Sequence, residues 1–326
     1  MDVILTGSIA YDYLMRFPGY FKDHFIMEEL HQVSLSFLVE DMTRHWGGVA
    51  ANIAYTLALL GMRPKLMGTV GRDFPDYRNW LEEHGVDTST VRQIDEVFTA
   101  SFFANTDLEN NQIASFYAGA MSHARKFKLE DVYTGKPHMV VVSPNDPVAM
   151  SQLTQECRER DIRFIYDPSQ QVPRLTGEEL TRDLDGAHAM IVNAYEAEII
   201  MKKSGLTLDD LRSMIDILVI TQGKNGSHIY QGAQMLDVPV FPVPDECIKD
   251  PTGVGDAYRA GFIRGLISGW DLELCGVVGS LCAAYVLEQI GTQSHQFTPA
   301  DFVERFRSEY DDRGVLDGLI DSQTGV

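Results

Sequence analysis

Short apolar runs alternate along this chain with stretches whose apolar residues recur at helical spacing. Residues 3–6, 66–70, 139–142, 164–167, 190–193 and 217–221 are mostly continuous runs rich in apolar and β-branched side chains, and helical patterns over 50–60, 76–84 and 148–160 fall between them. A strand buried on both faces has no polar side to alternate with, so this pattern predicts a parallel sheet covered by helices on each face. Ligands of such sheets gather at the carboxyl ends of the strands. Asp167, Asn193 and Thr221 each close a run with a polar residue at that edge. The longest apolar run, 274–287, has 14 residues, short of the roughly 20 that span a bilayer, and it predicts a buried helix.

Two segments break the alternation. Residues 11–45 mix aromatic and charged residues without a long helical stretch. Residues 97–118 alternate with period two, setting Ala100, Phe102 and Ala104 on one face and Ala114, Phe116 and Ala118 on a face of a second strand. The polar residues 107–111 predict the turn between them. These segments predict a small sheet outside the main layer; a strand pair that buries its phenylalanines in the core is the alternative the pattern leaves open. From 311 onward the chain is polar and glycine-containing, which predicts a loosely held tail.

Composition narrows the function classes. The 326 residues are 44% hydrophobic, and 27 Lys and Arg stand against 47 Asp and Glu for a net charge of −20. That balance argues against nucleic acid as a partner and requires any phosphate to be gripped locally. Cys157, Cys247, Cys275 and Cys282 form no C-x-x-C pair, and the N-terminus has neither a cationic stretch nor the apolar run of a signal peptide. Both observations point to a reducing compartment, the cytoplasm, with no membrane attachment.

The candidate chemistry starts at Asp250-Pro251-Thr252-Gly253-Val254-Gly255-Asp256, a glycine-rich turn that opens a helix. Without a Cβ at Gly253 and Gly255, the N–H groups of 253–256 can converge on one anion at the positive end of the helix dipole. Asp256 would then sit beside a bound phosphate, where a carboxylate can take a proton from an attacking hydroxyl; complementing the dipole is its plainer alternative. Gly47 and Gly48 open a second helix that carries Asn52, and Ser8 and Asp12 follow the first strand. Asn193 with Glu196, Thr221 with Gly223 and Gly226, and Gln170 with Gln171 each follow a strand end. A carboxylate such as Glu196 can organise the water shell of magnesium, the two glycines admit a nucleotide, and glutamine amides can pair with a purine edge. Each pair also has an ordinary reading as a helix start, a hairpin turn or surface amides. No G-x-x-x-x-G-K-[ST] occurs, and tyrosine at 258 spoils a dinucleotide fingerprint.

Taken together, Gly47-Gly48 with Asn52 near the front, and the 250–256 turn near the end, resemble the two signatures of the ribokinase-like (phosphofructokinase-B-type) family of sugar and nucleoside kinases. Asn193-x-x-Glu196 and Thr221-x-Gly223-x-x-Gly226 resemble further family motifs in the family's order. Residues 6–12, 14–19, 112–116 and 167–171 are similar to bacterial adenosine kinases of the actinobacterial type. The resemblance implies a three-layer α/β/α domain with a mostly parallel central sheet, made of residues 1–10, 46–96 and 119–326, plus a discontinuous β lid from 11–45 and 97–118. It implies transfer of the γ-phosphoryl of MgATP to the 5′-hydroxyl of adenosine. Asp256 would be the base, and Gly253, Val254 and Gly255 would form the anion hole. Asp12, Gly48 and Asn52 would hold the ribose; Ser8, Gln170 and Gln171 would touch the purine, with Phe102 and Phe116 stacked on it. Asn193, Thr221, Gly223, Gly226 and Thr252 would lie on the ATP side, with Glu196 holding Mg2+ through water and Asp250 at the position of a monovalent cation, K+. A homodimer through the lid is expected. The alternatives are a kinase for another nucleoside or for ribose, and a nucleoside-binding regulator, whose expected loss of Asp256 or the loop glycines is absent.

Overall fold

The structure, a computed structural model, describes residues 2–25 and 35–324, so part of the 11–45 segment lies outside the described residues. The strands are β1 (Val3–Thr6), β2 (Ala10–Arg16), β3 (Asp41–Gly47), β4 (Lys65–Met67), β5 (Thr69–Gly71), β6 (Arg92–Ile94) and β7 (Ala100–Thr106). After them come β8 (Gln112–Tyr117), β9 (Met139–Val142), β10 (Phe164–Tyr166), β11 (Ala189–Asn193), β12 (Ile217–Thr221), β13 (Ser227–Gln231) and β14 (Gln234–Val238). The α-helices are α1 (Val49–Leu59), α2 (Pro75–Glu83), α3 (Pro147–Glu159), α4 (Gly177–Leu184) and α5 (Ala194–Ser204). The chain continues through α6 (Leu208–Met214), α7 (Val254–Ser268), α8 (Leu272–Leu287), α9 (Pro299–Arg307) and α10 (Asp317–Thr324).

Eight strands form the main sheet in the order β14-β13-β12-β11-β10-β9-β1-β4. Pairing is parallel from β12 through β4 and antiparallel at β12–β13 and β13–β14. Alternate residues of each strand feed two separate cores. Leu5, Val141, Ile165, Ile191 and Val219 face the core that includes α1, α7 and α8, while Ile4, Val140, Phe164, Met190 and Leu218 face the core of α3 to α6. Each such side chain contributes about 1.5–3 kcal/mol by leaving water, which accounts for the lack of polar positions in these runs. Helix α8 is the predicted buried helix, and no helix among the described residues is long and apolar enough to cross a membrane.

A separate sheet of four strands runs β3-β2-β7-β8, with β2 antiparallel to β3, parallel to β7, and β7 antiparallel to β8. Asp107 closes the β7–β8 turn, its carboxylate accepting the N–H groups of Glu109 and Asn111. Phe102 and Phe116 are cross-strand partners.

Two expectations are corrected. Residues 66–70 are not one strand: β4 joins the main sheet and β5 pairs with β6 in a two-stranded sheet. The break falls at Gly68, where a Cβ would come 2.9 Å from Ile9 Cδ1 and 3.0 Å from the Gly7 carbonyl oxygen, so the backbone is pressed against the loop after β1. The tail after 311 is not loosely held. Leu316 and Leu319 are fully buried, and Arg307 pairs with Asp312 at 2.8 Å and Asp317 at 2.6 Å.

Candidate active site

In the main sheet, β1 lies between β9 and β4, and strand order reverses there, which opens a crevice at the carboxyl ends of the strands. A cavity of about 460 Å3 occupies that position. Ser8 and Asp12 reach it from the end of β1 and from β2, and Gly48 and Asn52 from the start of α1. Phe102 and Phe116 come from the four-stranded sheet, and Gln170 and Gln171 from the loop after β10. Thr252, Gly253 and Asp256 come from the start of α7. Segments more than 200 residues apart in sequence thus meet in one space.

Gly253 caps α7 in the left-handed conformation, φ 82°, and a Cβ there would meet Thr292 Cγ2 at 2.9 Å. The Val254 N–H makes a long 3.4 Å bond to the Pro251 carbonyl, and among the described residues no backbone acceptor meets the N–H of Gly255 or Asp256. Donors of this kind at a helix N-terminus bind anions.

Asp256 follows directly and is largely buried, its side chain 13% exposed. Burial raises its proton affinity, against the opposing pull of Arg259 and of a hydrogen bond from Asn52. Arg259, not singled out from sequence, is 7% exposed and lies under the site. Its guanidinium stands 2.8 Å from Asp167, 3.7 Å from Asp256 and 3.9 Å from Glu196. Asp167 is fully buried, and that burial pushes its carboxyl up to about 7 in spite of Arg259. Asp12 is also pushed up to about 7, by burial and then by the charges of Asp256 and Asp250. The site therefore holds more acid than base.

Asn52 is 4% exposed and already has protein partners: Nδ2 donates to Asp256 Oδ2 at 2.9 Å, and Oδ1 accepts from Gln293 Nε2 at 3.0 Å. Ser8 Oγ accepts the Val49 N–H at 2.9 Å, which leaves its hydroxyl proton for another acceptor. Gln171 donates through Nε2 to the Asn145 carbonyl at 2.8 Å, whereas its buried Oε1 has no partner among the described residues. Gly48 takes φ 93°, and a Cβ on it would lie 2.6 Å from the Ser8 carbonyl; a Cβ on Gly47 would collide with the Asp12 carboxylate. The two glycines let α1 start against β2.

Residues 9–299 match the family model of the pfkB family carbohydrate kinases. The chain belongs to that family. A nucleoside kinase of Burkholderia thailandensis, solved with inosine, is 34% identical with a TM-score of 0.83, covering 95% of this chain and 98% of that one. A nucleoside kinase of Methanocaldococcus jannaschii is 29% identical over 310 residues, 93% of this chain and 96% of its own. Adenosine kinase of Sinorhizobium meliloti is 21% identical with a TM-score of 0.71, covering 95% of this chain and 99% of that one, a likeness of fold.

The remaining predicted residues of this pfkB-family chain lie outside the cavity wall. Asn193 and Glu196 form a capping box at the start of α5, Asn193 Oδ1 accepting the Glu196 N–H at 2.8 Å and Glu196 Oε2 accepting the Asn193 N–H at 2.9 Å. Thr221 ends β12 next to Asn193 in register. Gly223 has φ 57° and open space where a Cβ would be, while Gly226 leads into β13 with φ 87°. Asp250 accepts N–H bonds from Thr252 at 2.9 Å and Gly291 at 3.2 Å, tying the 250–256 turn to the chain after α8. Lys203, at the far end of α5, donates to the carbonyls of Val172 at 3.1 Å and of Pro173 and Leu175 at 2.7 Å, just beyond Gln170 and Gln171. Besides Arg259, sequence reading passed over Gln293 and Thr292, whose only signal is their place in the polar run 292–296 directly after Gly291.

Proposed function

We propose that this chain is a nucleoside kinase that transfers the γ-phosphoryl group of MgATP to the 5′-hydroxyl of a purine nucleoside, adenosine being the acceptor that the motifs at 6–12 and 167–171 imply. The observation that carries the reading is Asp256, a buried carboxylate at the first turn of α7, beside unpaired N–H donors and on the wall of a cavity with an aromatic pair at its other side. Asp256 would accept the hydroxyl proton as oxygen attacks phosphorus. The N–H groups of Gly255 and Asp256 would take up charge on the transferred group, since phosphoryl transfer is catalysed mainly by positioning and charge stabilisation.

Asp12, with no protein hydrogen bond among the described residues, would bind ribose hydroxyls. Phe102 and Phe116 would stack on the base. Gln171 Oε1 is an acceptor, and both the amino group of adenosine and the ring N–H of inosine can satisfy it. The inosine bound by the Burkholderia thailandensis relative favours the second acceptor as the other reading. ATP would lie beyond the anion loop toward Thr221, Gly223 and Gly226.

Asp167, Glu196 and Asp256 surround the Arg259 guanidinium, Asp12 feels the charges of Asp256 and Asp250, and among the described residues no three acidic, His or Cys groups gather closely enough to hold a metal by themselves. Such a set of hard oxygen donors fits a magnesium ion that arrives on the phosphates, with Glu196 holding its water shell. Magnesium would neutralise the polyphosphate. Asp250 would serve a potassium ion through the lone pairs its two backbone bonds leave.

The test is to incubate purified protein with MgATP and a panel of adenosine, inosine, guanosine, cytidine and ribose, and to detect the phosphorylated product. A nucleoside 5′-monophosphate is the expected product. Phosphate on ribose alone, or on no acceptor, would overturn the reading.

A further inference from the structure

Trp80, Tyr77, Gln293 and Asn52 form a hydrogen-bonded series that ends on Asp256, and its donors and acceptors permit one direction only. An indole N–H can only donate, so Trp80 Nε1, 3.1 Å from Gln293 Oε1, fixes the oxygen end of that amide. The Tyr77 hydroxyl donates to the Gly47 carbonyl at 2.8 Å and therefore accepts from Gln293 Nε2 at 2.6 Å. The second Nε2 proton goes to Asn52 Oδ1 at 3.0 Å, which turns Asn52 Nδ2 toward Asp256 Oδ2 at 2.9 Å. Thr292 Oγ1 lies 2.9 Å from the same Asn52 oxygen and 2.8 Å from the Trp46 carbonyl; with one proton for two acceptors it is compatible with this orientation and does not set it. Reversing Gln293 would set an indole N–H against an amide nitrogen, and reversing Asn52 would set an amide oxygen against a carboxylate.

Burial makes the direction binding. Tyr77, Gln293 and Asn52 are 0%, 3% and 4% exposed, so water cannot repair a reversed amide. The indole is itself fixed by ring contacts, parallel to Tyr55 within 10° at 6.0 Å and to Trp46 within 27° at 6.2 Å. Neither Gln293 nor Trp80 lines the cavity.

We propose that Gln293, oriented by Trp80 and Tyr77, is a positioning residue that sets the direction of the Asn52 amide and so keeps a donor on the Asp256 carboxylate. The functional consequence rests on the kinase reading of Asp256. The groups that act with that carboxylate are Asn52 from α1, Asp12 from β2, Asp167 after β10, Glu196 from α5 and Arg259 within α7, while Asp250 before α7 acts on Asp12. Burial and the charge of Glu196 favour its protonated form, while Arg259 and Asn52 favour the ionised form. An Asn52 amide free to turn withdraws one of the two supports for the ionised base.

The experiment compares wild type, Gln293→Met and Trp80→Phe, the last keeping an aromatic ring while removing the indole N–H and one of its two fused rings. In the kinase assay the acidic limb of the kcat/KM profile should move to higher pH by about one unit in Gln293→Met, the size expected for loss of a hydrogen bond to a charged group, and in the same direction but by less in Trp80→Phe. Nucleoside KM should stay within about twofold, because no cavity-lining residue changes. Independently of turnover, the carboxyl 13C resonance of Asp256, identified by its absence in Asp256→Asn, should titrate at a correspondingly higher pH in both variants. A carboxyl titration that superimposes on wild type in a folded variant overturns the positioning role; should Gln293→Met fail to fold, Trp80→Phe decides. If wild type phosphorylates no nucleoside, the kinase reading falls, and the carboxyl titration still decides the hydrogen-bond series.

Discussion

Asp256 is held between an amide at 2.9 Å and a guanidinium at 3.7 Å, in surroundings that otherwise favour its protonated form. Such a carboxylate is poised to gain a proton when an alcohol approaches, and an amide in its place is not. Asp256→Asn should therefore leave nucleoside KM within a few-fold of wild type and lower kcat by about 10²- to 10⁴-fold, measured as steady-state product formation; full turnover would remove Asp256 from the base role. Its candidacy was legible because two glycines and a helix start flank it in the sequence. Arg259 was not legible. Three residues on, it reads as the polar face of an ordinary helix, and only the fold reveals that Asp167 and Glu196, from distant segments, bury it. Asn52 was legible as a polar residue at the site, but its engagement with Asp256 depends on Gln293, which carries no motif.

Among the elements, the parallel strands of the main sheet were readable because burial on both faces leaves them almost wholly apolar, whereas the antiparallel β13 and β14, with polar and exposed positions, were not. The β4–β5 break was not, since it comes from Gly68 pressing on the loop after β1, a contact with no trace in local periodicity. Nor was α10, whose buried Leu319, with Leu316 just before the helix, is diluted by polar neighbours. Strand β8 has a different consequence. It is an edge of the four-stranded sheet, every residue from Gln112 to Tyr117 is exposed, and Ile113 and Tyr117 are 41% and 43% exposed. Unpaired edges with apolar side chains favour strand addition, and we propose that two copies pair here. Ile113→Lys should convert a dimer to a monomer in light scattering while leaving circular dichroism unchanged; a wild-type monomer at micromolar concentration would refute the pairing.

At the level of the whole molecule, acid titrates opposing groups. His295 is 1% exposed, has no partner on Nδ1 among the described residues, and burial lowers its pKa to about 4. Between its ordinary value of 6.5 and about 4 the unfolded chain binds a proton that the folded chain refuses, so this residue's contribution is complete above 6.5 and is lost as pH falls through that window. Asp12 and Asp167, pushed up to about 7, act in the opposite sense and stabilise the fold as pH falls from 7 toward 4. Comparing wild type with His295→Leu cancels the two acids. The wild type's unfolding free energy should lose ground to the variant by on the order of 3 kcal/mol from pH 7 to pH 4, read from denaturant midpoints, and a constant difference would exclude His295 as the source.

Lys203 gives the molecule a mechanical property as well. Three carbonyls between 172 and 175 are stapled to the end of the helix whose other end carries Asn193 and Glu196. The loop after β10 and the strand-to-helix turn at 193–196 consequently ride on one stiff plate, and any jaw-like movement around the cavity is left to the strands of the four-stranded sheet.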